Sequence, residues 1–336
     1  MSGFETEEVR DASAFAALEP EWWELWRRSP QATPFQSPAW LIPWWRHFAP
    51  GELFTIAVRR EGRLVGLAPG YIEDSTVGRR ILPIGISLSD YLDVLLDPDA
   101  PEAGAALVGH VAREGARWDA WELEELAPEA AAFGLPVPPG ATKELREQSA
   151  CLTLTLPSEA RSVFDLVSRR KRKQIHLARN RADRRGAVSI EQSDGETIGP
   201  LVEQLVALHR ARWERRGEAG LFADERVPHF QREAAPRLHE AGLLRLYALS
   251  IDDRIVAVLY VLTCRDQAYA YLTGFDPDYD FESPGVTLLA HAVDRAMAEG
   301  AHAFHLLRGQ EPYKYEWGPV ESRNRGRSFR RIAPHA

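Results

Sequence analysis

Two kinds of hydrophobic pattern alternate along the first half of the chain. Some segments carry apolar residues at helical spacing, namely residues 12–28, 40–48 and 101–115. Others alternate apolar and polar residues as strands do, namely residues 53–60, 63–71, 81–86, 91–96 and 118–123. Glu61-Gly62 provides a tight turn between the first two strands. The pattern predicts an α/β unit that is mostly antiparallel at its start and has one helical crossover near its end.

The second half of the chain repeats this pattern. Residues 244–257 align with residues 53–66 at a constant offset of 191, the separation of Arg254 from Arg63, and the same offset brings Trp213 onto Trp22. Repeats of this length indicate two domains of like fold. We place the boundary after the proline-rich segment 136–140, which gives an N-terminal domain over residues 1–145 and a C-terminal domain over residues 146–336.

Composition identifies the general class of protein. The 336 residues are 45% hydrophobic and 27% charged, as in a globular chain large enough for two cores. No apolar run reaches the ~20 residues of a membrane-spanning helix. The acidic N-terminus lacks the pattern of a signal peptide, so we expect a cytoplasmic protein without a membrane span. The sequence does not indicate an oligomeric state.

Neither the cysteines nor the histidines predict a metal site. Cys151 and Cys264 each lie in a strand-like segment, and no Cys-x-x-Cys pair is present. His302-x-x-His305 would place its two side chains on opposite faces of a strand. We therefore expect no bound metal and interpret both cysteines as core residues.

Basic residues are concentrated in one segment, residues 161–185. It contains ten Lys or Arg and two Asp, a local charge of +8 in a chain whose net charge is −8, so the remainder carries −16. Val163, Val167 and Ile175 fall close to helical spacing, which predicts one helix with a basic outer face that ends near Gly186. Two interpretations are open. The helix pairs with the protein's own acidic surface, or it binds a polyanion such as the phosphates of coenzyme A or tRNA.

The candidate chemistry lies between Tyr269 and Trp317. An aromatic strand is followed by Ser283-Pro284-Gly285-Val286, which begins a helix, then by a second strand and the polar loop Gly309-x-Glu311-x-Tyr313-Lys314-x-x-Trp317. The first N–H groups of such a helix are unpaired, and together with the helix dipole they favour an anion. The sequence contains no P-loop, no His-Glu-x-x-His motif and no nucleophile elbow, which argues against metallohydrolase and serine-hydrolase activity.

This succession resembles the CelD-like acetyltransferases of the GNAT superfamily, which are relatives of the FemAB-type aminoacyl transferases. The similarity extends over residues 35–317 and is sharpest in residues 309–317. It implies an α/β fold of tandem GNAT-like (acyl-CoA N-acyltransferase) domains, with mixed central sheets flanked by helices. It also implies acetyl-CoA or another acyl-CoA as co-substrate. Residues 276–282 depart from the family, because they replace the glycine-rich pyrophosphate loop of ordinary GNAT enzymes with an acidic segment.

The resemblance further implies which residues form the donor site. Backbone N–H groups at the end of the central strand would polarise the acyl carbonyl, and the start of the next helix would hold the donor. These residues are Leu272, Thr273, Gly274, Phe275, Ser283, Gly285 and Val286.

Catalytic and acceptor-side roles follow from the same resemblance. Lys314 would stabilise developing negative charge, Tyr313 or Tyr315 would donate a proton, and Glu311 or His305 would accept the proton of an amine. Structural roles remain as alternatives: a surface ion pair for Lys314, a core aromatic for Tyr313 and an inward strand residue for His305. The acceptor side would consist of Arg212, Trp213, Arg216, Phe222, Tyr315 and, in the N-terminal domain, Asp90.

Three functions are compatible with these expectations. The first is an acyl-CoA-dependent transferase acting on an amine or hydroxyl of a small-molecule acceptor or cell-envelope precursor. The second is a FemAB-type transferase that uses aminoacyl-tRNA, and the third is a non-catalytic scaffold. The N-terminal domain carries acidic residues at 97–102 and at Glu124-Glu125, which would repel a phosphate, so we expect a copy that does not bind the donor and shapes the acceptor cleft.

Overall fold

The computed structural model describes residues 3–332, which form two compact α/β units. The first unit contains residues 3–149 and 323–332, and the second contains residues 150–322. The chain therefore leaves the first unit at Ser149 and returns to it at Arg323. The expected C-terminal domain extended to the end of the chain, whereas the structure groups residues 323–332 with the first unit.

The elements of the first unit come mainly from the N-terminal half. In chain order they are strand β1 (Phe4–Val9), helices α1 (Ala12–Ala17), α2 (Glu19–Arg28) and α3 (Pro38–Phe48), strands β2 (Glu52–Leu53), β3 (Thr55–Arg60), β4 (Arg63–Ala68), β5 (Gly70–Ser75), β6 (Gly78–Pro83) and β7 (Leu95–Leu96), helix α4 (Ala103–Arg113) and strand β8 (Ala120–Leu126). Strand β9 (Ala141–Thr155) continues from this unit into the second.

The elements of the second unit follow. They are helices α5 (Val163–Leu166) and α6 (Arg169–Arg185), strand β10 (Val188–Gln192), helices α7 (Ile198–Arg215) and α8 (Arg226–Glu240), strands β11 (Leu244–Ile251), β12 (Arg254–Cys264) and β13 (Gln267–Phe275), helix α9 (Pro284–Ala298), strand β14 (Ala303–Arg308) and helix α10 (Pro312–Tyr315). The last strand, β15 (Val320–Arg331), returns to the first unit.

The strands of the first unit form two groups. One has the order β1-β3-β4-β7 and is antiparallel. The other has the order β2-β5-β6-β8-β15, in which only β6 and β8 run parallel. Both groups bury apolar side chains, including Ile56 and Val65 from the first and Ile81 and Trp121 from the second, in one core with α4. The tail belongs to this unit because β15 pairs with β8.

Three of the expected elements of the first unit differ in the structure. The strand expected over residues 63–71 divides into β4 and β5, which belong to different groups. The helix expected over residues 12–28 is two helices, because a new helix begins after Leu18 with Pro20 in its first turn. Of the strand expected over residues 91–96, only β7 pairs. The preceding Asp93 carboxylate instead accepts backbone N–H bonds from Val94, Ala131 and Ala132, which holds that segment as a loop.

The second unit is a mixed sheet with helices on both faces. Its strand order is β10-β11-β12-β13-β14-β9, and every neighbouring pair is antiparallel except β13 and β14. Alternate residues of β11 and β12, such as Leu249 and Leu259, pack with α5, α6 and α9 in one core. Helix α7 contacts β12 and β13, and α8 packs on α7. Within residues 3–332, none of the helices combines the length and apolarity needed to cross a bilayer.

The structure repeats the elements that the sequence repeats. The hairpin turns Glu61-Gly62 and Asp252-Asp253 both adopt positive φ angles, between β3 and β4 and between β11 and β12. In each unit the arginine after this turn pairs with an aspartate: Arg63 lies 3.6 Å from Asp97, and Arg254 lies 2.5 Å from Asp276. The fold is therefore two related α/β units in tandem.

The basic segment forms two helices rather than one. The chain extends at Val167, and the Ser168 hydroxyl caps the new helix α6 by accepting the N–H of Lys171. Several of its cations pair within the second unit: Lys171 with Glu316, Arg179 with Asp294 and Arg185 with Glu282. The first interpretation of the segment, pairing with the protein's own acids, therefore holds for only part of the helix.

Candidate active site

Strands β13 and β14 pair over three residues and then separate. Backbone pairing joins residues 267–269 to residues 303–305. Beyond Tyr269, β13 continues to Phe275 beside β12, while β14 follows β9 and adopts a left-handed conformation at Leu307, whose φ is 59°. The strand segment 272–275 borders the opening that this separation leaves.

Helix α7 reaches the opening because residue 274 is glycine. A Cβ atom at Gly274 would lie 2.8 Å from the carbonyl oxygen of Leu205 and 2.9 Å from the backbone nitrogen of His209. The helix backbone therefore rests directly on β13. This contact brings the guanidinium of Arg212 to 4.5 Å from the centre of the Phe275 ring.

The loop after β14 places a lysine and a carboxylate together. Gly309 has a φ of 113°, a conformation that favours glycine, and a Cβ there would also displace the Glu311 carboxylate. The buried ammonium of Lys314 lies 3.1 Å from the Glu311 carboxylate and donates to the carbonyl of Arg308 at 2.5 Å. The loop is anchored at its far end by Trp317, which is buried in the core.

Arg212, Tyr313 and Glu311 are close enough to interact electrostatically. Burial and the neighbouring Arg216 lower the pKa of Arg212, and Tyr313, Asp280 and Glu311 act in the opposite direction. Partial burial and Glu311 raise the pKa of Tyr313, so its phenol stays protonated at neutral pH and is able to donate a proton. The Nε atom of Arg212 is buried and has no hydrogen-bond partner among the described residues. The cluster therefore combines an acid, a base and an unsatisfied cationic donor.

Helix α9 begins at a left-handed residue, Ser283, with φ and ψ both 53°. Pro284 has no N–H, and the N–H of Val286 bonds back to Ser283. The hydroxyl of Thr287, in the first turn, is buried and lacks a partner within the described part of the chain. The helix dipole and the Thr287 hydroxyl favour an anionic ligand. The bonded N–H of Val286 is not available to it, and the carboxylate of Glu282 at the same helix end would oppose it unless neutralised.

Neutralisation at this helix end comes from α6. Arg185 lies 3.9 Å from Glu282, and its guanidinium lies 5.1 Å from the ring centre of Tyr279. Arg181 donates to the carbonyl of Phe281 at 3.0 Å and stacks on that ring. The basic helix therefore borders the segment that leads into α9.

Three of the expected site residues are not among the contacts that form the opening. His305 sits where β13 and β14 are still paired, its ring nitrogens engaged by Gln267 at 2.8 Å and by Thr153 at 3.1 Å, and burial lowers its pKa to about 4. Tyr315 donates its hydroxyl to the Glu321 carboxylate at 2.5 Å. Asp90 belongs to the first unit, where its carbonyl accepts the side-chain amide of Asn324.

The remaining acceptor-side residues cluster at the C-terminal end of α7. Phe222 is fully buried and packs edge-on against His209, with ring centres 4.8 Å apart. Trp213 donates its indole N–H to His209 at 2.9 Å, and Arg216 lies over the Trp213 ring. These contacts make Phe222 part of the core and leave Arg212 and Arg216 as the cations of this group.

His209 belongs to the site, although the sequence pattern assigns it no role. Burial and the adjacent Arg212 lower its pKa to about 4, so its ring is neutral at physiological pH and accepts the Trp213 bond. Its position four residues before Trp213 was a usable signal, since residues at this spacing touch when the segment is a helix.

One group in the first unit has a spacing compatible with metal ligation, Glu8, His110 and Glu114. Glu8 is already engaged by the guanidinium of Arg117, with both carboxylate oxygens at 2.7 Å, and by Arg10 at 2.9 Å. The negative charge of Glu8 is therefore already balanced by arginine side chains.

The comparisons with known proteins agree with this fold. Residues 169–315, from the start of α6 to the end of α10, match the sequence model of the acetyltransferase (GNAT) domain. No curated protein matches the sequence significantly.

Solved structures extend the similarity to nearly the whole chain. The crystal structure of FemX superposes with a TM-score of 0.66 at 14% identity, covering 98% of this chain and 97% of that one. The C-terminal domain of a putative lysylphosphatidylglycerol synthetase from Agrobacterium fabrum gives 0.59 at 11% identity, covering 95% and 92%. L-PGS from Bacillus licheniformis gives 0.56 at 13% identity, covering 88% of each chain. At these identities the similarity is one of fold.

Proposed function

We propose that the chain is a GNAT-type acyltransferase, of the CelD-like group, that moves an acyl group, in the first instance acetyl, from acyl-CoA to an amine or hydroxyl acceptor. The observation that carries the proposal is the opening between β13 and β14, with Lys314, Glu311 and Tyr313 beside it. The metal-free chemistry of such a site requires only polarisation, proton transfer and charge stabilisation.

The reaction assigns a role to each part of the opening. The N–H groups of residues 272–275 polarise the thioester carbonyl. The acceptor amine attacks, its C–N bond forms, and its proton passes to Glu311 directly or through a water. The C–S bond then breaks, Lys314 stabilises the developing negative charge, and the phenol of Tyr313 protonates the departing thiolate. His305 is the weaker choice of base, because both its ring nitrogens are engaged.

Binding roles follow from the charges. The start of α9, at Ser283, Gly285 and Val286, holds donor phosphate, and Arg181 and Arg185 of α6 offset the acidic segment before it. Arg212 and Arg216 hold an anionic group of the acceptor, for which a small-molecule or cell-envelope precursor is suitable. The first unit does not bind the donor.

Aminoacyl-tRNA is the second candidate donor. The basic helix favours it, because several cations of α6 remain without a carboxylate partner among the described residues, and FemX supports it by fold. A non-catalytic scaffold is the third candidate, and the lysine–glutamate pair at the opening argues against it.

Calorimetric titration separates these donors. We expect acetyl-CoA or a longer acyl-CoA to bind saturably and Gly285→Trp to weaken that binding. A Cβ atom at Gly285 would meet only Phe275 within 4 Å among the described residues, at 3.8 Å, so the larger side chain has room to enter the donor's space. Gly199→Trp is the matched control, since it fills open space at a distant glycine of the same unit.

Each alternative has its own outcome in this experiment. Absence of CoA binding together with strongly salt-dependent binding of charged tRNA would transfer the chain to the aminoacyl-transferase class. Binding of neither donor would favour the scaffold.

A further inference from the structure

The outer face of α6, opposite its buried side, carries four cations that form no hydrogen bond or ion pair with another described residue. The buried side consists of Lys171, Ile175, Ala178 and Ala182. On the opposite side lie Arg169, Arg170, Lys173 and Arg184, all exposed and all without an acidic partner among residues 3–332. They span 16 residues of helix, and the first and last are roughly 22 Å apart along its axis at the rise of an α-helix. We call these four residues and the Leu177 between them the outer face of α6.

Two apolar side chains lie along these cations. Leu177, between Lys173 and Arg184, is 42% exposed, and Phe281, in the segment before α9, is 67% exposed. Arg181, one turn after Leu177, places its guanidinium 4.1 Å from the centre of the Phe281 ring. This contact holds Phe281 beside the helix that carries Leu177. Exposed apolar residues interspersed with cations are typical of surfaces that bind at a lipid headgroup boundary.

Charge complementarity indicates an anionic partner, and the apolar residues indicate which kind. A single-stranded nucleic acid requires aromatic faces for its bases, whereas Leu177 is aliphatic and one face of Phe281 is covered by Arg181. Two nearby acids do not compete for the cations. Asp183 lies about 80° around the helix from Lys173, and Asp278 is paired with Arg215 at 2.7 Å. Asp280, next to Phe281, is exposed and opposes the partner only weakly in salt.

We propose that the outer face of α6, together with Phe281, docks the protein on an anionic phospholipid surface. The cations contact lipid phosphates, and Leu177 and Phe281 enter the headgroup region. This inference does not depend on the acyl donor. It places the segment before α9, and therefore the donor end of the opening, at the lipid surface.

Vesicle sedimentation of the full chain tests this proposal. We expect binding to phosphatidylcholine vesicles that contain phosphatidylglycerol, weakening as salt is raised, and no binding to vesicles of phosphatidylcholine alone. Arg170→Gln with Lys173→Gln should lower the partition coefficient about 25-fold, from about fivefold per cation. Phe281→Ser should lower it about tenfold.

The matched control is Lys143→Gln with Arg325→Gln, which removes two exposed cations elsewhere on the chain and should leave partitioning unchanged. Circular dichroism establishes that each variant is folded. Equal binding by the charge variant and the control, or binding indifferent to phosphatidylglycerol, would overturn the proposal. So would tRNA binding that depends on Arg170 and Lys173 but not on Phe281, because it would assign the same face to a nucleic acid. Acyl-CoA titration of the Arg170→Gln, Lys173→Gln variant should be unaltered, which separates this result from the proposed function.

Discussion

The two units share a scaffold and differ where the candidate chemistry lies. Both have a hairpin with a two-residue turn, an Asp-Pro-Asp segment bound to the arginine after that turn, and a parallel strand pair around a crossover helix. In the second unit the last strand leads into the Gly309–Trp317 loop with Lys314. In the first, the corresponding strand β8 carries Glu122, Glu124 and Glu125. The repeated features are those that hold the fold together, and the unrepeated ones are the candidates for function.

Part of the acidic segment 97–102 of the first unit has a counterpart in the second. The structure matches Asp97-Pro98-Asp99 with Asp276-Pro277-Asp278. In each case the first aspartate donates its N–H to strand β4 or β12, at Val65 or Val256, and its carboxylate accepts the N–H two residues later. This acid is a shared structural motif. The difference in charge between the units therefore lies in β8, where burial raises the pKa of Glu124 while Arg146 opposes the effect.

Replacing one lysine in each unit should produce the largest difference, which we expect in turnover. Lys314→Ala removes the cation at the opening, and we expect turnover to fall by about 10²–10³-fold, as when one transition-state donor is lost. The exposed Lys143 of the first unit, changed to alanine, should leave turnover intact. The measurement is thiol release from acyl-CoA in the presence of an amine.

Because Lys314 also bonds Arg308 and Glu311, thermal unfolding should accompany the assay, and Lys314→Arg should restore part of the rate if charge is what matters. Unchanged turnover in a folded Lys314→Ala variant would remove the lysine from the mechanism.

Glycine substitution compares the packing of the two units. Gly274→Ala forces helix α7 from β13, since the new methyl group meets backbone atoms, and should lower the free energy of unfolding by about 1–3 kcal/mol. At Gly66 in β4 the new methyl would meet only side chains, Val58 at 3.2 Å and Ala103 at 3.5 Å, so Gly66→Ala should cost less than about 1 kcal/mol. Urea denaturation measures both. Equal losses would show that the close approach of α7 has no special cost.

The smallest expected difference is in the free energy of unfolding when Asp97 or Asp276, the aspartates that the two units share, is replaced. Asp97→Asn should lower the free energy of unfolding by about 1–2 kcal/mol, because the side chain is buried and bonded by Arg28 at 2.7 Å. Asp276→Asn should cost at most about 1 kcal/mol, since Arg254 is largely exposed. Denaturation at neutral pH compares them directly, and a greater loss for Asp276→Asn would reverse the ranking.

Acidification should remove the contribution of the Asp97 carboxylate to the free energy of unfolding. Burial alone would raise the pKa of Asp97, but the Arg28 hydrogen bond, the Asp99 N–H and the nearby arginines hold it below its ordinary value. The carboxylate therefore contributes stability above the unfolded pKa of about 3.9, and that contribution is lost as pH falls through the folded pKa. The difference between wild type and Asp97→Asn should shrink on acidification, and a constant difference would contradict this account.

The sequence predicts most of the scaffold because repeat, periodicity and turn residues agree there. It does not reveal β15, whose residues 320–331 are mainly charged or polar and become a strand by pairing with β8. The sequence pattern also assigns His305 to the candidate active site, because the alternation of a strand does not show where two parallel strands separate. The role of Gly274 depends on a helix about 70 residues earlier in the chain, which no local pattern contains.

The return of the chain to its first unit has a consequence for synthesis. The strand that completes the group β2-β5-β6-β8-β15 is made only after all the elements of the second unit. On the ribosome, the N-terminal unit therefore waits with one strand missing while the second unit is translated. The order in which the two units are completed is thus the reverse of the order in which they begin.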